Sequence, residues 1–422
     1  MNKLIPRDFY LHQLQAIDAE DSAQNLVRIL TGVRRSGKSS LLALYKDYLV
    51  KQGIKPAQIM SVNFEDLSQD RLRDARTFHS SVQRAVEEQG IRFLHIDEAQ
   101  ELDDWARVLN SLREKYNIRI TVTGSNASLF AGEGLTYLAG RYITVDVLPL
   151  SLGEYRNFVQ IPDSTPPEQA YARWMRATLP APALMTNSKV RNQAMNSVFD
   201  SIFARDIVTR GQLRDTDTFM KVARFVFDNA GSPISPGRIA TRLESQGIKV
   251  SPQSVNRFLG LMVDAHMFYT CRRYQTRGGQ WLRTGGKYYF IDPGLRDVLL
   301  GHKQSNTGHD LENMVFLELL RRGYQVSSAD TPKGEIDFFA THEGENRYIQ
   351  VALTVLDSAT LARELRPFEA LPPGSSCALL TMDRIPLNTG AVQHLNAADF
   401  LAGAPLNSGG GFLGALLRPG RH

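Results

Sequence analysis

The chain has 422 residues, 42% hydrophobic and 22% charged, which is enough apolar material for two or three cores and ordinary globular composition. Its 49 basic and 44 acidic residues give a formal net charge of +5, and two cysteines (Cys271 and Cys377) exclude a disulfide framework and a zinc site. The opening MNKLIPRDFYLHQL has no apolar leader region and no run reaches the roughly 18 apolar residues of a membrane span, so the expectation is a cytoplasmic protein without a membrane partner.

Residues 1–160 alternate strand-like and helix-like stretches. The strand candidates are Leu26–Leu30, Ile59–Phe64, Phe93–Ile96, Ile118–Val122 and Ile143–Leu148. This alternation predicts a parallel sheet covered on both faces, with any binding site at the carboxyl ends of the strands. After the first strand comes Gly32-Val33-Arg34-Arg35-Ser36-Gly37-Lys38-Ser39-Ser40, which contains GxxxxGK[ST] and opens a helical stretch. Glycines let backbone N–H groups turn inward onto phosphate oxygens, and the helix N-terminus adds the positive end of its dipole. Lys38 is expected on the β- and γ-phosphates of ATP, with the Ser39 hydroxyl on Mg²⁺.

The run FLHI ends in Asp97-Glu98, and adjacent acids at the end of a buried strand are costly unless something positive or polar faces them. Asp97 is read as supporting Mg²⁺ and Glu98 as the base for attacking water; the competing reading is a helix N-cap. At the end of ITVTG, Ser125 and Asn126 are read as a γ-phosphate sensor, again with an N-cap as the competitor. Arg141, before the last strand, is placed to reach a neighbouring subunit's nucleotide as an arginine finger, or to be an ordinary surface arginine.

Proline-rich IPDSTPPEQA and LPAPAL mark the end of the first domain. Residues 185–300 then read as helices followed by a hairpin. Between 214 and 290, twelve Lys/Arg stand against five Asp/Glu, so this segment is +7 and the rest of the chain −2. Two Ser-Pro helix starts at Ser235-Pro236 and Ser251-Pro252, followed by the hairpin, form a winged helix-turn-helix pattern. Val255, Phe258, Leu259 and Met262 make one apolar stripe. Gln253, Asn256 and Arg257 remain on the outer face, where a recognition helix meets bases. Arg272, Arg273, Arg277 and Arg283 lie in or beside the wing and suit DNA phosphates.

Residues 305–400 form a further α/β unit, and 405–422 a glycine-rich tail. Glu312, Glu335 and Asp337 have the spacing of a PD-(D/E)xK nuclease core, but the expected E-x-K is Gln350-Val351-Ala352. Glutamine is a poor metal ligand and alanine brings no charge, so a degenerate, non-cleaving domain is expected.

The order GVRRSGKSSLL, VNFED, FLHIDEAQELDDW, TVTGSNASLF, LAGRYITVDVLPLSLGEY and YYFIDPGLRD resembles predicted AAA+-type ATPases that carry a restriction-endonuclease-like C-terminal domain of unknown function. The resemblance runs from about Arg7 to Asp383. It implies an α/β protein with a P-loop AAA+-like domain, a winged helix and a PD-(D/E)xK-like unit. It also implies an arginine finger at Arg141 and a homo-oligomer, with a hexameric ring as one arrangement. The resulting expectation is Mg²⁺-dependent ATP hydrolysis coupled to binding or remodelling of DNA, such as forked or branched DNA. The alternatives are an ATP-driven signalling or scaffold switch and an ATP-dependent nuclease.

Overall fold

A computed structural model describes residues 4–125, 133–301, 307–385 and 387–406. Five short apolar segments form β1 (Val27–Thr31), β2 (Ile59–Asn63), β3 (Phe93–Asp97), β4 (Arg119–Thr123) and β5 (Tyr142–Asp146). They pair in parallel in the order β2-β3-β4-β1-β5. Alternation along β1 sends Val27 and Ile29 to one face and Leu30 to the other, where two separate apolar clusters form. Helices Ala75–Gln89 and Trp105–Lys115 cover the first face; Asp8–Ala19 and Lys38–Lys51 cover the second. Helix Ala75–Gln89 starts where the Asp74 carboxylate accepts from Thr77 N and stops at left-handed Gly90, so its length is set by its caps.

Beyond this sheet the chain is helical to Asp264. Helix Ser188–Ser201 continues directly into a π-helical segment, Ile202–Thr209. Helices Thr216–Asp228, Pro236–Glu244 and Pro252–Asp264 follow, the last two capped by Ser235 and Ser251 with proline in the first turn. Val255, Phe258, Leu259 and Met262 are buried as one stripe. Strands β6 (Phe268–Gln275) and β7 (Gln280–Phe290) then form a hairpin.

The hairpin does not stand alone. The C-terminal strands β8 (Gln325–Thr331), β9 (Gly334–His342), β10 (Glu345–Val351), β11 (Ser376–Thr381) and β12 (Gln393–Asn396) extend the same sheet in the order β12-β11-β10-β9-β8-β6-β7. The join is a parallel pairing of Arg272–Gln275 with Ser327–Asp330. Backbone groups of β6 would otherwise stand open along an edge, and β8 satisfies them. One apolar cluster accordingly runs from Val33 through the helices to Leu406. Helix Thr307–Arg321 also ties this half to the first sheet, where Arg321 donates to the Tyr10 hydroxyl and to the Pro149 carbonyl, each at 2.7 Å. Among the described residues no helix is long and apolar enough to cross a membrane. Residues 407–422 of the expected tail lie outside the described set.

Candidate nucleotide site

The loop between β1 and helix Lys38–Lys51 depends on two glycines. Gly32 and Gly37 have φ of 135° and 100°, and a β-carbon on Gly32 would sit 2.5 Å from the Val147 carbonyl oxygen. The loop leads into a cavity of about 830 Å³ bordered by Gly37, Lys38, Ser39, Ser40, Arg34, Arg35 and Glu98. Val33 is buried in the apolar cluster beneath, and the Ser36 carbonyl accepts from Arg7 at 2.9 Å. Lys38 is folded onto the loop, its Nζ donating to the carbonyls of Gly32 and Val33 at 2.9 and 3.0 Å. Burial lowers its pKa to about 8, partly opposed by the charge of Glu98.

Three polar groups meet at the ends of β3 and β4. Ser39 Oγ donates to Asp97 Oδ1 at 3.0 Å, and Thr123 Oγ1 donates to the same oxygen at 2.5 Å. Thr123 also accepts from the Glu98 backbone N–H at 2.9 Å. Burial raises the Asp97 pKa, opposed by the hydrogen bonds from Thr123 and Ser39. Glu98 holds a left-handed φ of 55°, a costly backbone for glutamate, and its carboxylate accepts from Gln100. Such strain persists where the surroundings fix it, here through Thr123. The arrangement suits a divalent cation between Ser39 and Asp97, with Glu98 beside the cavity that would receive the phosphates.

Arg34 leads to residues with no sequence signal. Its guanidinium pairs with Asp206 at 3.0 Å and donates to Ser125 Oγ at 3.3 Å. Asp206 belongs to the π-helical segment and also holds Arg210 at 2.9 Å; Arg210 in turn reaches Glu101 at 3.0 Å. Burial lowers the Arg34 pKa, but the Asp206 hydrogen bond and charge more than offset it, leaving it raised. Irregular π geometry is often found at functional sites, and here it directs one acid into the phosphate loop.

The other candidates are more scattered. Ser125 is buried within this network, whereas Asn126 lies outside the described residues. Arg141 precedes β5, and its carbonyl accepts from Val27 N at the amino ends of β1 and β5. With a strand rise of roughly 3.3 Å, five residues put it about 17 Å from the phosphate loop of its own chain. It contacts Glu114 at 3.3 Å and Asn110 at 3.2 Å.

Gln253, Asn256, Arg257, Arg272 and Arg277 are exposed. Arg257 is nonetheless engaged by the Gly211 and Gln212 carbonyls, and Arg273 is ion-paired with Asp330 at 2.8 Å. Arg283 lies in β7, and its side chain is outside the described set.

In the C-terminal unit Glu312, Glu335 and Asp337 do converge, but on a lysine from β7. Lys287 Nζ lies 2.9, 2.6 and 3.7 Å from them, and Glu312 also accepts from the Tyr289 hydroxyl. Burial lowers the Lys287 pKa, but the charges of Glu312, Asp337 and Glu335 outweigh it and leave it raised. Gln350 accepts from Asp337 N and donates to Glu364, so its amide is spent on structure. Among the described residues no group of acids, histidines and cysteines is arranged to hold a metal.

Fold and site together define the first part as an AAA-type P-loop ATPase domain, and residues 24–156 match the family described as AAA domain. Residues 167–306 match a domain of unknown function (DUF8612). The chain is 36% identical over 355 residues to an uncharacterized protein of Haemophilus influenzae, covering 83% of this chain and 88% of that one. It belongs to the same family as that protein. An uncharacterized protein of Methanocaldococcus jannaschii is 25% identical over 365 residues, 82% of this chain and 78% of its own. Among solved structures, a Walker-type ATPase of Pyrococcus abyssi aligns with a TM-score of 0.46 and 16% identity, over 70% of this chain and 96% of that one.

Proposed function

We propose that the chain binds ATP with Mg²⁺ at the phosphate loop, hydrolyses it, and couples turnover to DNA held by the basic segment 214–290. The observation that carries the ATPase half is the Ser39–Asp97–Thr123 cluster with Glu98 beside the cavity. Ser39 and Asp97 would hold Mg²⁺, which when bound supplies charge neutralisation on the phosphates. Lys38 leaves its loop carbonyls for phosphate oxygens. Glu98 Oε accepts a proton from the attacking water, and Arg34 and Arg210 border the cavity, with the buried Ser125 hydroxyl hydrogen-bonded behind them. Arg141 acts in trans, which requires a homo-oligomer; its place at the amino ends of β1 and β5, at the opposite end of the sheet from the phosphate loop, supports that assignment over one in cis.

DNA coupling rests on charge: +7 is concentrated in residues 214–290. Arg272 and Arg277 on the hairpin and Gln253 and Asn256 on the helix are the exposed contacts of choice. Lys287 fills the centre of the acid cluster, which supports a structural role for the C-terminal unit over nuclease activity. A second reading, a scaffold switch driven by ATP, is favoured by one observation. Arg257 and Arg273 are already held within the chain. The ATPase rate measured with and without forked duplex, at low and high salt, separates the two. Coupling to DNA predicts stimulation that fades steeply with salt, because phosphate contacts release counterions. An unchanged rate and no salt-dependent binding would leave the scaffold reading.

A further inference from the structure

A second cavity of about 510 Å³ lies between helices Leu152–Phe158, Pro167–Trp174 and Ser188–Ser201. Arg173, Arg176 and Arg191 border it. None of these guanidiniums is ion-paired with a carboxylate among the described residues, and Arg191 Nε is buried without a hydrogen-bond partner. Tyr155 is only 6% exposed, its hydroxyl has no hydrogen bond among the described residues, and the side chain borders the same space. Burial raises the Tyr155 pKa, while the charges of Arg173, Arg191 and Arg176 pull it back. The remaining wall is largely apolar and includes Val159, Ile161, Leu184 and Met185.

Three guanidiniums border this one cavity with no ion-paired carboxylate among the described residues, Arg191 donating only to the Met185 carbonyl at 3.2 Å, and such a set matches a doubly charged group better than a single carboxylate. The cavity is larger than a phosphate alone, and its apolar side needs something to cover it. We propose that it is a second anion site, for a phosphomonoester with an apolar or planar body. A small metabolite and the terminal phosphate of a nucleic acid strand share that chemistry.

The site also has a route to the phosphate loop. Segment 180–185 is a wall common to both cavities: Pro180 and Ala181 border the first, and Ala183, Leu184 and Met185 the second. Pro180 packs against the loop closely enough that a β-carbon on Gly37 would lie 3.6 Å from its Cγ. An occupant of the second cavity therefore presses on the segment that backs Gly37. This coupling clause rests on the ATP reading of the first cavity; the anion site does not.

The test is calorimetric titration of full-length Lys38→Ala protein, in which the first cavity is disabled, with phenyl phosphate, inorganic phosphate and 5′-phosphorylated tetrathymidylate. Phenyl phosphate should bind with one site per chain. Binding should weaken about tenfold or more in Arg173→Gln/Arg176→Gln and severalfold in Tyr155→Phe. Arg173 and Arg176 are exposed, so an unchanged melting curve verifies that the double variant folds. Tighter binding of the oligonucleotide that is lost in the double variant assigns the site to a strand end, since binding through the basic segment 214–290 would survive it, and binding of phenyl phosphate alone assigns the site to a small metabolite. A flat isotherm for all three probes, or equal binding to the double variant, overturns the site. Failure of the ATP reading would instead appear as absence of ATP binding to wild-type protein, which this titration does not involve.

Discussion

Asp206 is the most heavily engaged acid at the phosphate loop: it is 1% exposed and accepts from both Arg34 and Arg210. Removing it takes the buried counter-charge from between the two guanidiniums and leaves Arg210 with Glu101 and Arg34 with Glu65 at 3.7 Å, both on more exposed carboxylates; loss of one partner of a buried pair costs about 3–5 kcal/mol. Asp206→Ala should therefore melt earlier than wild type. It should also gain more thermal stability from added Mg-ATP, because phosphate oxygens can take over the arginines the carboxylate releases. Equal ATP-induced shifts in the two proteins would show that Asp206 does not oppose the nucleotide.

Asp97, Glu98 and Lys38 were legible in the sequence because each belongs to a contiguous strand–loop–helix pattern. Thr123 sat unremarked inside ITVTG. Asp206, Arg210 and Lys287 could not be placed at all, since their partners lie 172, 109 and 25 residues away. Tertiary contacts of that kind leave no local period to read.

Among the elements, the junction between β6 and β8 carries the largest consequence. The strand positions of the first sheet follow from apolar runs flanked by loops and agree with the sequence reading to within two residues. The sharing of one sheet by the hairpin and the C-terminal strands was not legible, because pairing partners are chosen by packing and not by local pattern. Tyr289 stacks on Phe316 at 4.2 Å and lies 5.8 Å from Phe338, so the hairpin's apolar face is completed by residues after 306. A chain ending at Gly301 exposes that face and the β6 edge together. Such a truncation should be recovered aggregated, or should bind a hydrophobic dye strongly. A monodisperse, cooperatively melting 1–301 fragment would show that the hairpin stands without β8.

At the scale of the whole molecule, the two sheets also meet through polar groups. The His266 ring shares a hydrogen bond of 3.0 Å with the Thr31 hydroxyl and one of 3.3 Å with Tyr269, which also donates to Asp146 at 2.8 Å. Burial lowers the His266 pKa to about 3, with the charge of Lys38 acting in the same direction. In the unfolded chain the ring protonates near pH 6.5, so the unfolded state binds the extra proton in the window between about 6.5 and about 3. Stability is therefore lost as pH falls through that window, by about 1.4 kcal/mol per pH unit. Urea unfolding at pH 7.5 and pH 5 should show about 2 kcal/mol less acid loss in His266→Gln than in wild type. Parallel losses would place the acid sensitivity elsewhere.

The proposed role of Glu98 is to activate water in a site built on Lys38, Ser39 and Asp97. It is tested most directly by phosphate release from Mg-ATP, comparing wild type with Glu98→Gln at saturating nucleotide. Glu98→Gln should still bind ATP and turn it over about 10²–10⁴-fold more slowly. Hydrolysis at the wild-type rate by Glu98→Gln would contradict it.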